Sequence, residues 1–375
     1  MSATTLSSSL IDVGWLATIT IHALVLILLG WTLAVRGLRI ATDRRRQAMV
    51  AIWRPILAES LIEAPVSLPA IHPRDRVLFL YLWNHLQESI KGESAEELCK
   101  IIRRTKMDDV VHHFLASGTM RQQLLAIVTL GHLKEESAWQ QLLALVQAEN
   151  AFLSIEAART LVRIDATRAI PILVPLISHR ADWSPLKVLS LLQGTGDELV
   201  ARALGEAALN APPLIAARLL RFLASIRSHR ALPLIRPLLM RDPLNEDVLA
   251  SCLSLFGQCT DPRDLPAVRQ YLTHPTWFIR VQAATALGKM GIEGDEARLI
   301  GLLEDSHWWV RYRAAEALSL LPSMTDDKLS ILVQTLPTTE ARKVLTPFVA
   351  KQIQEAFAST ANVSAAWPQS PIYDQ

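Results

Sequence analysis

Histidine and cysteine are the residues with the strongest intrinsic chemistry in this 375-residue chain. His112 and His113 are neighbours, and neighbouring side chains on a helix point about 100° apart, so they are poorly placed to share a metal ion. Cys252 and Cys259 are seven residues apart, which places them on one helical face and predicts core thiols. Cys99 makes the count odd, and no zinc-like spacing occurs. We therefore expect no metal site, no disulfide framework and reduced thiols.

Sequence motifs of nucleotide binding and of hydrolysis are missing. The segment "GTGDEL" at Gly194 lacks the lysine of a phosphate-binding loop and the strand that should precede it. No HExxH motif, nucleophile elbow or spaced pair of acids occurs elsewhere. We therefore expect no catalytic residue and no cofactor, and we interpret the protein as non-enzymatic.

The composition favours helices and argues against nucleic acid as a partner. Half of the residues are hydrophobic, the mean hydropathy is +0.24 and only 14 residues are glycine. Such values predict a large helical core or a membrane segment. The net charge is +2, and no basic stripe is obvious. Proteins that bind nucleic acid usually carry a larger basic excess, so no nucleic-acid partner is expected.

An uncharged segment near the N-terminus predicts a transmembrane helix over residues 13–35. This segment contains no Asp, Glu, Lys or Arg. As a helix it would span about 35 Å, enough for the roughly 30 Å core of a bilayer. Trp15 and Trp31 lie near its ends, where interfacial aromatics occur. Residues 1–12 lack the basic residues of a signal peptide and are expected to be a short exported N-terminus.

The residues after this segment predict its orientation. Five arginines follow it, at positions 36, 39, 44, 45 and 46. The positive-inside rule then places the rest of the chain in the cytoplasm. His22, inside the span, is interpreted as a neutral imidazole rather than a proton site. Residues 36–75 are expected to form a basic juxtamembrane helix and a proline-rich linker. Pro55 is expected to make this helix either one kinked helix or two short ones. That helix could lie on the membrane surface or pack on the body, and the sequence leaves both open.

A phrase that occurs twice near the C-terminal end defines the architecture of the body. Residues 276–288 read "TWFIRVQAATALG", and residues 307–318 read "HWWVRYRAAEAL". Tryptophan, arginine, paired alanines and leucine recur at matching places. Self-similarity at such a fixed period is typical of stacked supersecondary units.

The same period divides residues 119–336 into seven helix pairs of roughly 31 residues each, a length typical of helical repeats. The first helix of each pair is expected to open near residues 119, 151, 184, 212, 246, 276 and 307. The second helices carry phrases such as "AIPILVPLI", "ALPLIRPLL" and "DLPAVRQYL", in which Pro171, Pro233 and Pro266 are expected in the first helical turn. Residues 76–118 lack the repeated phrase. Their sequence predicts a cap of three helices, near 76–90, 95–105 and 108–116. Residues 337–360 predict a C-terminal capping helix, and 361–375 a flexible tail.

The repeated phrase resembles the HEAT-repeat family of armadillo-like helical repeats. The residues that carry the resemblance lie from Trp277 to Gly288 and from Trp308 to Leu318. It implies an all-α, right-handed α-solenoid of about seven HEAT-like helix pairs, preceded here by one transmembrane helix and a helical cap. It also implies structural roles for Trp277, Arg280, Trp308 and Arg311, with each arginine bonded to an acidic group or carbonyl between repeats.

Three residues of the last repeats are candidate partner contacts: Phe278, Trp309 and Arg313. Trp309 and its counterpart Phe278 face away from the alanine stripe and are expected to be exposed, whereas Trp308 is expected to cover a seam between repeats. Exposed aromatic side chains on a repeat protein favour partner binding.

The functional hypothesis that follows is a membrane-anchored scaffold without catalytic activity. It would be attached to a bacterial inner membrane through residues 13–35 and bind a membrane protein, for example an envelope polysaccharide synthase or glycosyltransferase. Two alternatives remain open: a HEAT-like repeat enzyme similar to bilin lyases or DNA alkyl-base glycosylases, and a stand-alone module that binds peptides.

Overall fold

The computed structural model describes residues 3–62, 65, 67–90, 92–241, 244–291 and 293–350, apart from the side chains of residues 3–21, 23, 25, 38, 39, 41 and 42. Over this part of the chain all regular secondary structure is helical, which confirms the all-α prediction. Two compact units divide the chain after Ile164. The predicted tail 361–375 and the last ten residues of the predicted capping helix lie outside the described residues.

The first unit, residues 1–164, contains seven α-helices over its described residues. They are α1 (Ala3–Glu59), α2 (Arg76–Ser89), α3 (Glu93–Arg104), α4 (Met107–Ser117), α5 (Met120–Leu133), α6 (Trp139–Val146) and α7 (Ala151–Ile164). Helices α2, α3 and α4 begin and end within two residues of the three helices expected there, and their role as a cap stays a prediction. The next three helices are the first repeat pair and the first half of the second pair.

Helix α1 is continuous over 57 residues and contains Pro55, so the alternative of two short helices is wrong and one helix forms. Proline removes one N–H donor, but close to the end of a long helix few hydrogen bonds follow it. Met49, Trp53 and Leu57 are buried. The ring of Trp53 meets that of Phe79 in α2 edge to face, at 4.7 Å between centroids. This end of α1 therefore packs on the body, which decides between the two alternatives for the juxtamembrane segment.

The transmembrane helix expected over residues 13–35 is not found. In the part of the chain that the structure describes, no helix combines the length and the apolar character needed to cross a bilayer.

The second unit, residues 165–375, continues the repeats. Its helices are α8 (Ala166–His179), α9 (Pro185–Gln193), α10 (Asp197–Asn210), α11 (Pro213–Ser225), α12 (Leu232–Ile235), α13 (Glu246–Cys259), α14 (Leu265–Gln270), α15 (Trp277–Met290), α16 (Glu296–Leu302), α17 (Trp308–Leu320) and α18 (Asp326–Thr335). First helices α5, α7, α9, α11, α13, α15 and α17 begin within one residue of the predicted positions. The predicted right-handed sense of the solenoid stays a prediction.

Proline marks the start of only some second helices. Pro233 and Pro266 lie in the first turns of α12 and α14, as expected. Pro171 instead lies inside α8, so its predicted position is wrong. Asp165 starts that helix earlier, because its side chain accepts a hydrogen bond from the backbone N–H of Arg168 at 3.0 Å.

Small residues let consecutive first helices approach closely. A Cβ atom added to Gly257 would lie 2.6 Å from the Cα of Ala286, and one added to Gly288 would lie 2.6 Å from the Cα of Ala317. Both distances are well below van der Waals contact. The alanine stripe of α15 and α17 is therefore the surface along which α13, α15 and α17 pack.

The helix of residues 339–350 is a further first helix of the repeat series. Ala341, Leu345 and Val349 are buried on it. They occupy the places that Val310, Ala314 and Leu318 hold one repeat earlier in α17. The predicted capping helix therefore follows the repeat period, which its sequence concealed because it lacks the tryptophan and the paired alanines.

Candidate functional site

The N-terminal ends of α15 and α17 place the recurring tryptophans on the surface of the second unit. Each helix begins at its tryptophan, Trp277 or Trp308, directly after an extended residue, Thr276 or His307. A side chain in the first turn has no preceding turn of its own helix to lie against. Neither ring is therefore covered by a preceding turn of its own helix, and both are exposed.

These rings form an aromatic patch, defined here as Trp277, His307, Trp308, Trp309 and Tyr312. The first two rings are stacked at 4.0 Å between centroids with planes 5° apart. Trp308 stacks on Tyr312 at 5.2 Å and meets Trp309 edge to face at 4.7 Å. Offset-stacked and edge-to-face geometries are the favourable ones for aromatic pairs. The patch is thus a pre-organised surface whose side chains hold one another in place.

The exposure of the patch differs from the prediction at two positions. Trp308 and Trp309 are both 47% exposed, and Trp277 is 39% exposed. The expectation that Trp308 is buried over a seam is therefore wrong, because its ring stacks on its own helix. Trp277 instead reaches the next repeat through His307. Trp309 is exposed as expected, whereas Phe278 is half-buried.

Arg280 joins two consecutive repeats, as the resemblance implied. Its Nε and Nη2 atoms donate to the two carboxylate oxygens of Asp305 at 2.7 and 2.8 Å. Its Nη1 atom donates to the carbonyls of His274 and Pro275. Burial raises the pKa of the Asp305 carboxyl, but the hydrogen bonds from Arg280 and the His307 N–H outweigh burial and hold the pKa below its ordinary value.

Arg311 occupies the equivalent place one repeat later but has no carboxylate. Its Nη1 atom donates to the carbonyls of Asp305 and Ser306, at 2.7 and 3.2 Å. Leu336 stands where Asp305 stands one repeat earlier, and it cannot accept a hydrogen bond through its side chain. Among the described residues no carboxylate pairs with Arg311, and its buried Nε atom has no partner. The positive charge beside Trp308 is therefore not neutralised within the described part of the protein.

Arg313 lines a shallow groove of about 290 Å³ across α13, α15 and α17. The guanidinium pairs with Glu316 at 2.6 Å. Lys289 faces the same groove, and burial, together with Arg227 and Arg313, lowers the pKa of its ammonium group. Trp309 and Arg313 are four residues apart and therefore share one face of α17.

Sequence reasoning missed two further arginine–aspartate pairs, which join second helices. Arg236 donates through Nε to Asp264 at 2.6 Å, and Arg269 donates through Nε and Nη2 to Asp295, both at 2.8 Å. The two aspartates are almost fully buried. A signal was present, since each arginine stands three residues after a proline of the recurring phrase and the two aspartates are one repeat apart.

The cysteines and the adjacent pair His112 and His113 take no part in this surface. Cys252 and Cys259 are buried, and burial raises the pKa of each thiol to about 12. Within the described part of the chain, no three His, Cys, Asp or Glu side chains gather as metal ligands. His112 and His113 lie on α4 of the first unit.

The sequence comparisons agree with the repeat pattern. The family model of HEAT repeats matches residues 243–318 and again 266–347. The chain therefore carries HEAT repeats over 243–347, a range that includes the aromatic patch. It also includes the equivalent arginines of three consecutive repeats, Arg280, Arg311 and Arg342. No curated protein matches the sequence.

Many solved structures are similar to the chain, and two of them illustrate the low identity of these matches. An engineered protein shares 17% identity over 82% of this chain and 92% of its own length, with a TM-score of 0.33. Human deoxyhypusine hydroxylase in complex with glycerol shares 15% identity over 65% of this chain and 98% of its own length, with a TM-score of 0.28. Superposition at these scores supports no residue-level correspondence.

Proposed function

We propose that the protein is a protein-interaction module whose partner docks on the aromatic patch. The observation that carries this proposal is the combination of two half-exposed indoles with the unneutralised guanidinium of Arg311. Tryptophan and arginine are the residues that most often dominate binding energy at interfaces. The stacked rings have already lost much of their rotamer freedom, so little side-chain entropy remains to be lost on binding.

The chemistry of the patch favours a partner segment that offers a carboxylate beside an apolar side chain. The protein uses the same combination of groups between its own repeats. There the carboxylate of Asp305 binds Arg280, and the ring of His307 stacks on Trp277. One repeat later, Arg311 and Trp308 lack these partners. A partner that supplies an acidic group and an apolar or aromatic surface would complement them.

Co-purification of the full chain from mild detergent, with wild type and variants measured side by side, tests this proposal. Trp309→Ala and Arg311→Gln should each weaken binding of the same partner by at least about 30-fold, with a matching loss of recovery, since interface hot spots contribute about 2 kcal/mol or more. Ile331→Ala is the matched control, because Ile331 is a 60% exposed apolar residue on α18 outside the patch. Partner recovery that is equal in all three variants would refute the patch as the binding surface.

We also propose that residues 13–35 attach the protein to a bacterial inner membrane, with the N-terminus outside and the repeats in the cytoplasm. The support is the absence of charge in this segment, the five arginines that follow it, and exposed apolar side chains around α1. These side chains are Leu24, Leu26, Ile27, Leu28, Leu29, Trp31 and Leu33, which are 54–69% exposed. The partner would then be a membrane protein, such as an envelope polysaccharide synthase or glycosyltransferase, whose encounter with the repeats is favoured by tethering.

A separate measurement tests the membrane attachment. Replacing Leu26 and Leu29 with lysine should move the chain from the membrane fraction to the soluble fraction, because charge at the centre of a span costs about 2.5–3.5 kcal/mol per residue. A reporter that is active only in the periplasm should stay silent when it is fused after Gln375. Periplasmic reporter activity, or membrane recovery unchanged by both lysines, would refute the arrangement.

A further inference from the structure

A basic pocket lies in the first unit, and none of its residues belongs to the aromatic patch. Its volume is about 730 Å³, and α2, α3, α5 and α7 supply its walls. The lining includes Gln87, Cys99, Arg103, Lys134 and Arg163. The volume far exceeds that of a single inorganic anion and would admit an organic molecule of moderate size.

Positive charge dominates the lining of this pocket. Lys100, Arg103, Lys134 and Arg163 are all exposed in it, and the acidic residue in the lining is Glu96. Lys100 is neutralised by Glu97 at 2.5 Å. Among the described residues, no carboxylate lies within ion-pair distance of Arg103, Lys134 or Arg163.

The charges of Glu88 and Glu156 act on Arg163 without forming an ion pair with it, and its side-chain contact with His132 does not neutralise it. Nη1 of Arg163 lies 3.5 Å from Nε2 of His132. Burial, and the positive charge of Arg163, lower the pKa of His132 to about 4. His132 is therefore an uncharged acceptor at neutral pH, and Arg163 keeps its charge available to the pocket.

Gln87, which lines the same pocket, has a buried hydrogen-bond acceptor that is not used. Gln87 is only 5% exposed, and its Nε2 atom donates to the carbonyl of Ala95 at 3.0 Å and to Sγ of Cys99 at 3.5 Å. Its Oε1 atom is buried without a hydrogen-bond partner among the described residues. An amide flip would place this oxygen against the Ala95 carbonyl, so the geometry fixes an acceptor here. A buried acceptor left unpaired is costly, and it favours a ligand that brings a donor.

We propose that this pocket binds a phosphate monoester of a small hydroxylated molecule. The phosphate dianion would lie between Arg103, Lys134 and Arg163, which offer charge-assisted hydrogen bonds from several directions. A hydroxyl of the organic part would donate to Oε1 of Gln87. A simple carboxylate carries one charge and no hydroxyl, so it complements the pocket less well.

Cys99 provides a direct readout of occupancy in the full chain. Its thiol lines the pocket and is partly exposed, whereas Cys252 and Cys259 are buried. The rate at which iodoacetamide alkylates Cys99 is measured by mass spectrometry at fixed pH and ionic strength. Three probes are compared at equal concentrations: glucose 6-phosphate, inorganic phosphate and glucose. We expect glucose 6-phosphate to protect Cys99 in a saturable way, inorganic phosphate to require about tenfold more, and glucose to have no effect.

Matched variants distinguish binding in the pocket from a general effect of positive charge on the protein surface. Arg103 and Arg104 are neighbouring exposed arginines on α3, and Arg103 alone lines the pocket. Arg103→Gln should weaken protection by glucose 6-phosphate about tenfold, the usual effect of one charge-assisted hydrogen bond. Arg104→Gln should leave protection unchanged, and Arg163→Gln should repeat the effect of Arg103→Gln from another helix.

Three results would overturn the proposal. They are protection by glucose 6-phosphate no stronger than by glucose, equal potency of inorganic phosphate and glucose 6-phosphate, and equal effects of Arg103→Gln and Arg104→Gln. Circular dichroism of each variant establishes that it is folded. None of these residues belongs to the aromatic patch, so the outcome is independent of the proposed docking function.

Discussion

Replacing Gly288 with alanine should push α15 and α17 apart. The added Cβ would lie 2.6 Å from both the Cα and the Cβ of Ala317, whereas ordinary contact begins near 3.4 Å. The helices must therefore separate locally by roughly 1 Å. Overpacking of this kind costs about 1–3 kcal/mol, while exchanging glycine for alanine in a helix stabilises it by about 0.5–1 kcal/mol. The net destabilisation should therefore be about 0–2.5 kcal/mol.

Gly301 offers the matched control for this substitution. It lies in α16, is exposed, and an added Cβ would meet no atom within 4 Å. Gly301→Ala gains the same helix propensity without a clash, so it should stabilise the protein by about 0.5–1 kcal/mol. The difference between the two variants isolates the steric cost, because the propensity contribution is common to both.

Thermal unfolding of the full chain measures this difference. For a cooperative unit of about 200 residues, 1 kcal/mol shifts Tm by about 2–4 °C. Gly288→Ala should thus melt at least about 2 °C below Gly301→Ala, since the steric cost of about 1–3 kcal/mol alone separates them. Gly257→Ala, which meets Ala286 in the same way, should behave like Gly288→Ala. Equal melting temperatures for Gly288→Ala and Gly301→Ala would show that the first helices do not approach as closely as described.

Two further predictions concern the arginine seam and the thiols. Asp305→Asn should destabilise the protein by about 3 kcal/mol, since it leaves the largely buried Arg280 without its carboxylate. The pKa of Asp305 is lowered in the folded protein, so its contribution is present above the ordinary pKa of 3.8 and lost as the pH falls through the lower folded value. Urea unfolding of wild type and variant should therefore converge in strong acid, and a difference that stays constant into strong acid would contradict this. Iodoacetamide should modify native Cys99 at least about 100-fold faster than Cys252, because Cys252 is fully buried. Mass spectrometry measures both rates, and comparable rates would place Cys252 outside the core.

The order of helices was determined by the sequence. Periodicity and helix-start signals are local properties, and they located the first helices of seven pairs within one residue of their observed starts. The spacing of small residues also identified the face along which those helices pack. The repeated phrase did not reveal the further first helix at 339–350. A helix can be buried with any apolar residues at the repeat period, so it does not need the residues of that phrase. Ala341, Leu345 and Val349 supply this apolar character without the tryptophan and paired alanines of the earlier copies.

The chemistry of the surface was decided by the tertiary structure. Trp308 and Trp309 differ in sequence context but are equally exposed, because the exposure of a ring depends on which neighbour it stacks against. Arg280 and Arg311 occupy the same place in the repeat, yet only Arg280 meets a carboxylate, since that carboxylate comes from the loop before the next first helix. Periodicity along the chain specifies which helices stack, but it does not specify which side chains a loop then brings within hydrogen-bond distance. Where a loop brings a carboxylate to the repeat arginine, the two repeats are joined by an ion pair. Where it does not, the arginine stays available to a partner.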